Sequence, residues 1–103
     1  MMKVIKDIVK NMREEIEDAE KYAWAAVRAK AEHPDLAEVY NRLSNAEIEH
    51  AGMLHKQAVE IIDKYRRDGH ETPVAMQAVW EWEHERYMEE LAGVKRILEM
   101  YRN

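Results

Sequence analysis

Cysteine is absent from the 103-residue chain, which excludes disulfide bonds, thiolate metal sites and cysteine nucleophiles. The 3 Gly and 2 Pro are too few for a turn-rich β domain, and the composition is not that of a disordered chain. No apolar run approaches the roughly 18 residues that a membrane span requires, so we expect no membrane insertion. The first residues lack the apolar block of a signal peptide, which makes a cytoplasmic location the expectation.

Positive charge is in the minority, with 16 Lys and Arg against 21 Asp and Glu and a formal net charge of −5. Nucleic-acid binding rests on neutralising phosphates, so this balance predicts no nucleic-acid partner. The length allows a single domain with only a modest hydrophobic core. Charge and size therefore exclude several classes of protein without indicating a function.

The residues that break helices occur in two places. His33 and Pro34 form the first, and the second lies within residues 68–73. There, Gly69 is expected to adopt the left-handed conformation that ends a helix, while Thr72 and Pro73 are typical of an N-cap and a first helical residue.

Between these breaks the chain is rich in Ala, Glu, Leu, Met, Lys and Arg, which are strong helix formers. We therefore predict three helices, at about 3–31, 35–67 and 73–102. Long helices joined by short connections pack as an up-down-up bundle. The predicted fold is a single all-α domain.

The second predicted helix carries an apolar stripe with steps of three and four residues. Its members are Leu36, Tyr40, Leu43, Glu47, His50, Leu54, Ala58, Ile61 and Tyr65. Seven are expected in the core, whereas Glu47 and His50 are polar and lie in the middle of the stripe. A buried carboxylate without a partner costs several kcal/mol, about 3–5 where a buried pair is broken, so these two require an explanation.

Three explanations fit Glu47 and His50. They form a buried ion pair, they face a wet groove, or they bind a metal, because Glu and His three residues apart project from one face of a helix. The same spacing recurs at Glu81 and His84, and spacing alone is weak evidence. The position of Glu47 and His50 in the stripe is what favours the metal.

The first predicted helix offers two further carboxylates. Its stripe comprises Ile5, Ile8, Met12, Glu15, Ala19, Tyr22, Ala26 and Ala29. Glu15 lies in this stripe and Glu20 borders its other side. If the first two helices are antiparallel about a turn at residue 33, both carboxylates lie within about one helical turn of Glu47 and His50 along the bundle axis. Axial position therefore does not distinguish Glu15 from Glu20.

Two segments, residues 14–22 (EEIEDAEKY) and 45–53 (NAEIEHAGM), resemble the first helical hairpin of ferritin-like di-iron proteins. The chain is most similar to rubrerythrins and to the short encapsulated ferritins over roughly residues 8–60. In those families the first helix supplies a Glu a few residues before a Tyr, and the second supplies Glu-x-x-His-Ala. The resemblance implies Glu15, Glu47 and His50 as metal ligands, which favours Glu15 over Glu20.

One such hairpin is half of a di-iron site, since the bundle pattern needs a Glu from each of two helices and Glu-x-x-His from each of two others. Two copies of the chain would supply four carboxylates, whose charge balances two divalent ions. The encapsulated ferritins are built in this way, so the resemblance implies a homodimer or a larger homo-oligomer.

The alternative is a complete site within one chain that uses the third helix. Residues 81–87 resemble the last bundle helix of rubrerythrins, where Glu and His are both ligands. However, Glu81 and His84 are predicted to lie about 13 Å along the axis from Glu47 and His50. Glu90 is level with His50, so Glu90 and His84 rank as supplementary ligands, ahead of Glu81. The other histidines (His33, His55 and His70) are expected in surface or cap roles.

The resemblance implies an oxidoreductase, either a ferroxidase or a peroxidase-like enzyme, that holds two irons and draws electrons from an external donor when it reduces oxygen or peroxide. Tyr22 and Tyr40, seven residues from Glu15 and Glu47, are candidate hydrogen-bond partners of the ligands or electron relays. Manganese or zinc suits the same ligands. The competing hypothesis is a helical bundle that acts in structure, interaction or simple metal binding without redox chemistry.

Overall fold

A computed structural model describes residues 2–103 and contains three α-helices. They are α1 (Met2–Ala29), α2 (Pro34–Arg67) and α3 (Val74–Arg102), and no strand occurs among the described residues. The all-helical prediction is confirmed, and its three ranges agree with these bounds within two residues. None of the three helices contains a stretch apolar enough to span a lipid bilayer.

The chemistry of the connections sets the helix ends. Gly69 has a φ of 88°, the left-handed conformation predicted for it. The start of α3 differs from the prediction, because Pro73 occupies the N-cap position. Thr72 does not cap the helix, and its hydroxyl accepts a hydrogen bond from Arg66 at 2.9 Å.

The helices alternate in direction and form a rod with dimensions of 57 × 18 × 17 Å. Ser44 of α2 donates a hydrogen bond to Ala19 of α1. Tyr101 near the end of α3 donates one to Glu38 near the start of α2. Arg13 of α1 is paired with Glu83 of α3. Helices α1 and α3 are therefore parallel and α2 is antiparallel to both.

Helix α1 is the centre of the packing. It lies along α2 and α3, whereas the backbones of α2 and α3 approach each other at few positions. Two buried clusters fill the interior. One comprises Ile16, Ala19, Ala23, Ala51, Val94, Ile97 and Leu98, and the other comprises Ile5, Val9, Ala58, Ile62 and Met76.

The buried face of α2 differs from the predicted stripe. The buried residues are Ala37, Ser44, Ala51, Ala58 and Ile62. At 100° per residue, this face is turned by roughly 70° from the predicted one. The expectation that seven stripe residues lie in the core was wrong, because Ala58 alone of the nine is buried and Leu36 and Leu43 are exposed.

Of the remaining stripe residues, His50 is exposed and the others are half-buried, namely Tyr40, Glu47, Leu54, Ile61 and Tyr65. Half-buried Glu15 and Tyr22 of α1 lie beside Glu47 and Tyr40 of α2. We call this surface, formed by Glu15 and Tyr22 with Leu36, Tyr40, Leu43, Glu47, His50 and Leu54, the open face. Leu36 and Leu43 are exposed on this surface, whereas Tyr22 and Tyr40 stack on each other.

Candidate metal centre

The packing of α1 on α2 fixes the register of the site. Ser44 is fully buried, and its hydroxyl donates a hydrogen bond of 2.7 Å to the carbonyl of Ala19. Ala19 lies one turn after Glu15, and Ser44 lies about one turn before Glu47. Because the helices are antiparallel, this contact brings Glu15 and Glu47 to the same height.

Glu15, Glu47 and His50 converge on the open face. Nδ1 of His50 lies 3.6 Å from Oε2 of Glu15 and 3.7 Å from Oε2 of Glu47. One candidate ligand atom from each residue lies within 4.8 Å of the other two. The exposed fraction of the side chain is 19% for Glu47, 28% for Glu15 and 54% for His50, so the carboxylates are more deeply placed than the imidazole.

The two carboxylates have no lysine or arginine to balance them. Within residues 2–103, His50 is the only salt-bridge partner of either one. Two half-buried carboxylates that face each other repel unless a cation lies between them. Carboxylate oxygens together with one imidazole are donors that suit iron, manganese and zinc, so the residues present fit a divalent metal.

The competing carboxylate of the first helix does not reach this site. Glu20 is exposed on the surface of α1 and is absent from the cluster. The structure thus brings together the three residues that the resemblance implied.

The supplementary candidates of α3 lie elsewhere and have other partners. Nδ1 of His84 is 3.0 Å from Nε2 of His55. Glu90 accepts a hydrogen bond of 2.8 Å from Arg86, and Glu81 accepts one of 2.7 Å from Gln77. None of the three joins the cluster, because α3 packs on the side of α1 that faces away from Glu15.

Tyr22 and Tyr40 stack on each other, with ring centroids 6.1 Å apart and an interplanar angle of 22°. They lie two turns along the helices from Glu15 and Glu47, about 10 Å away. Among the described hydrogen bonds, neither hydroxyl contacts a candidate ligand. The geometry does not support the predicted role as direct partners of the ligands, and a role in electron transfer stays a prediction.

The expectation for His55 was wrong. It is half-buried between α2 and α3, and its ring is stacked with those of Trp80, His84 and Tyr87. A signal was present in the sequence, because His55 continues the spacing of Ala51, Ala58 and Ile62 along the buried face. The Glu-x-x-His spacing gives no indication of this role, because Gly52 and not a glutamate lies three residues before His55.

No family model, curated protein or solved structure matches the chain. The resemblance to ferritin-like proteins therefore rests on the two segments and on the cluster that they form.

Proposed function

We propose that the chain is a ferritin-like, carboxylate-bridged di-iron protein that oxidises Fe(II), or reduces oxygen or peroxide, at a site shared between two copies. The convergence of Glu15, Glu47 and His50 on one exposed surface carries the proposal. When bound, two ferrous ions supply the two electrons that the oxidant takes up.

The number of ligands supports a shared site. One chain offers two carboxylates and one imidazole, which balance the charge of one divalent ion. A second copy related by a two-fold axis doubles the set to four carboxylates and two imidazoles, the composition of a bundle di-iron centre. Glu81 and His84 do not complete the set within one chain.

The open face supports the same arrangement. The exposed side chains of Leu36 and Leu43 lie on the α2 stripe that also carries Glu47 and His50. Exposed apolar residues beside a few convergent polar groups are typical of a binding surface. A second copy on this face would form a four-helix bundle from two α1–α2 pairs and bury the carboxylates.

The chain's own residues have distinct roles in this proposal. Glu15 and Glu47 would hold the metal through their carboxylate oxygens and supply the negative charge that balances it. His50 would add a ring nitrogen as a further ligand. Ser44 holds the two helices in register. Electrons for repeated reduction of an oxidant come from an external donor.

The test is an anaerobic Fe(II) titration followed by exposure to oxygen. We expect one iron per chain, a dimer in sedimentation, and a near-ultraviolet absorbance band that depends on oxygen. Glu15→Gln, Glu47→Gln and His50→Ala should each abolish the band. Glu20→Gln and His33→Ala are the matched controls, because they remove the same groups from exposed positions, and both should retain it.

Two results would contradict the proposal. Two irons per chain in a monomer would show a site complete within one copy. The absence of specific Fe(II) binding, with circular dichroism showing folded protein, would exclude the metal site altogether.

The exposure of His50 favours a second candidate, a site that binds zinc or manganese without oxygen chemistry. An imidazole exposed by 54% leaves room for water or another ligand at the metal. This candidate predicts stoichiometric Zn(II) or Mn(II) binding and no oxygen-dependent absorbance after loading with Fe(II).

A further inference from the structure

The middle of α3 is joined to α2 by side chains, because the two backbones approach each other at few positions. His55 is the α2 residue at this junction. Its ring centroid lies 4.9 Å from that of His84, 5.4 Å from that of Tyr87 and 5.7 Å from that of Trp80. Nε2 of His55 and Nδ1 of His84 are 3.0 Å apart, which is hydrogen-bonding distance.

We propose that His55 and His84 form a pH-sensitive clasp that holds the middle of α3 against α2 at neutral pH and releases it when both imidazoles are protonated. A hydrogen bond between two ring nitrogens needs one N–H and one lone pair. The contact persists when neither ring or one ring is protonated. When both are cationic, both facing nitrogens carry hydrogen, so the bond is lost and two positive charges repel each other.

The surroundings oppose a second positive charge. Burial lowers the pKa of His55, and the charge of His84 lowers it further. The charged groups that α1 and α3 bring next to His84 are Arg13 and Glu83, which line a cavity of about 20 Å³ with His84 and Tyr87. Arg13 and Glu83 are paired with each other, so the carboxylate is already engaged. The clasp therefore opens below the ordinary imidazole pKa of about 6.5.

The rest of α3 remains attached when the clasp opens. Val94, Ile97 and Leu98 anchor its second half in one buried cluster, and Met76 anchors its start in the other. The segment between them, residues 80–88, is exposed or half-buried throughout, and only Trp80 and Tyr87 pack against the edges of the two clusters. Acid is expected to loosen this segment without unfolding the helices.

Because the chain has no cysteine, two introduced cysteines can be labelled selectively to measure the distance between α2 and α3. Lys56 of α2 and Glu85 of α3 are exposed, and Lys56→Cys with Glu85→Cys provides two positions for spin labels in the full chain. At pH 7.5 we expect one narrow distance distribution. At pH 4.5 it should move to longer distances and broaden, while far-ultraviolet circular dichroism retains the helical signal.

Two variants identify the groups responsible. His55→Gln with His84→Gln can still hydrogen-bond and does not titrate, so its distance distribution should not change with pH. His70→Gln, which removes an exposed histidine from the loop before α3, should respond as the unmodified background does. Imidazole NMR in the same pH range reports when both rings are protonated.

The clasp is excluded if both rings become protonated without a change in distance, or if they remain unprotonated down to pH 4.5. It is also excluded if the Gln variant opens in acid as the background does. These results do not depend on metal, so failure of the clasp and failure of the di-iron proposal can be distinguished.

Discussion

At the scale of single residues, Glu47 meets two opposing requirements. Its carboxylate is the least exposed of the cluster and lies beside Glu15, so we expect repulsion between the two charges to destabilise the metal-free protein. In the proposed site, the same proximity would favour a cation between the two carboxylates. Glu47 would then serve binding at the expense of stability.

This conflict predicts opposite effects of Glu47→Gln with and without metal. At pH 8 the metal-free variant should be at least as stable as the unmodified chain, because one of two facing charges is removed. Mn(II) at a hundred times its Kd should stabilise the unmodified chain by about 2.7 kcal/mol and the variant not at all. Thermal unfolding with and without Mn(II) measures both, and Glu20→Gln is the control. A metal-free variant that is less stable yet still responds to Mn(II) would contradict the assignment.

A second prediction concerns Glu38, whose pKa is lowered chiefly by the 2.8 Å hydrogen bond that the Tyr101 hydroxyl donates. Because the folded-state pKa lies below the ordinary 4.5, this contribution to stability is present above pH 4.5 and is lost as the pH falls through the lowered value. Tyr101→Phe should move the pKa of Glu38 back towards 4.5, as measured by carboxyl NMR. Arg42→Gln should cause a smaller change, since Arg42 contributes less. An unchanged pKa in Tyr101→Phe would show that the bond is absent in solution.

The candidate ligands could be predicted from the sequence because each breaks a local pattern. Glu47 and His50 interrupt an apolar stripe, and the resemblance selected Glu15. The pairing of His55 with His84 could not be predicted in this way, because it joins residues 29 apart and depends on how α3 packs.

At the scale of helices, the contact of α1 with α2 is built from small residues. Ala19, Ala23 and Ala26 of α1 and Ala51 and Ala58 of α2 are completely buried. Small side chains let the helix axes approach closely, which is what brings Glu15 and Glu47 into one cluster.

A larger side chain in this contact should separate the helices. Ala51→Leu adds volume to a site bordered by Ile16, Ala19 and Val94, and overpacking of this kind costs roughly 1–3 kcal/mol. Ala92→Leu, on the exposed surface of α3, makes the same change in open space and should stay within about 0.5 kcal/mol of the unmodified chain. Urea unfolding measures both, and equal stability of the two variants would show that the contact is not close-packed.

The helix ends could be predicted because Pro34, Gly69 and Pro73 influence the backbone conformation only at their own and neighbouring positions. The buried face of α2 could not. Apolar and small residues cover a wide arc of this helix, and hydrophobicity alone did not show that the half with Ala37, Ser44 and Ala51 packs on α1. Because the close approach of α1 and α2 requires small side chains, the small residues of α2 are buried, and Leu36 and Leu43 remain exposed.

At the scale of the whole molecule, the rod has its core along α1, and its open face carries the exposed side chains of Leu36 and Leu43. The open face is continuous with the candidate metal centre, so in the proposed dimer association and metal binding would be thermodynamically linked. A metal that binds at a shared site must tighten the dimer by the same factor by which dimerisation tightens the metal. The sequence indicated the candidate ligands, but the structure was needed to show that exposed Leu36 and Leu43 lie on the same face.

This linkage predicts that uncharged changes on the open face weaken the dimer. Leu36→Ser with Leu43→Ser removes two exposed leucines and adds no ligand to the site. Burial of a leucine contributes about 1.5–3 kcal/mol, so the dimer Kd should rise at least tenfold, and Fe(II) should bind more weakly. Met88→Ser with Met100→Ser makes a comparable change on the exposed surface of α3 and should leave both values unchanged. Sedimentation equilibrium under anaerobic conditions, with and without Fe(II), measures the dimer Kd and the effect of Fe(II) on it. A dimer that is weakened by the methionine changes and not by the leucine changes would place the interface on α3 and leave the carboxylates of each copy apart.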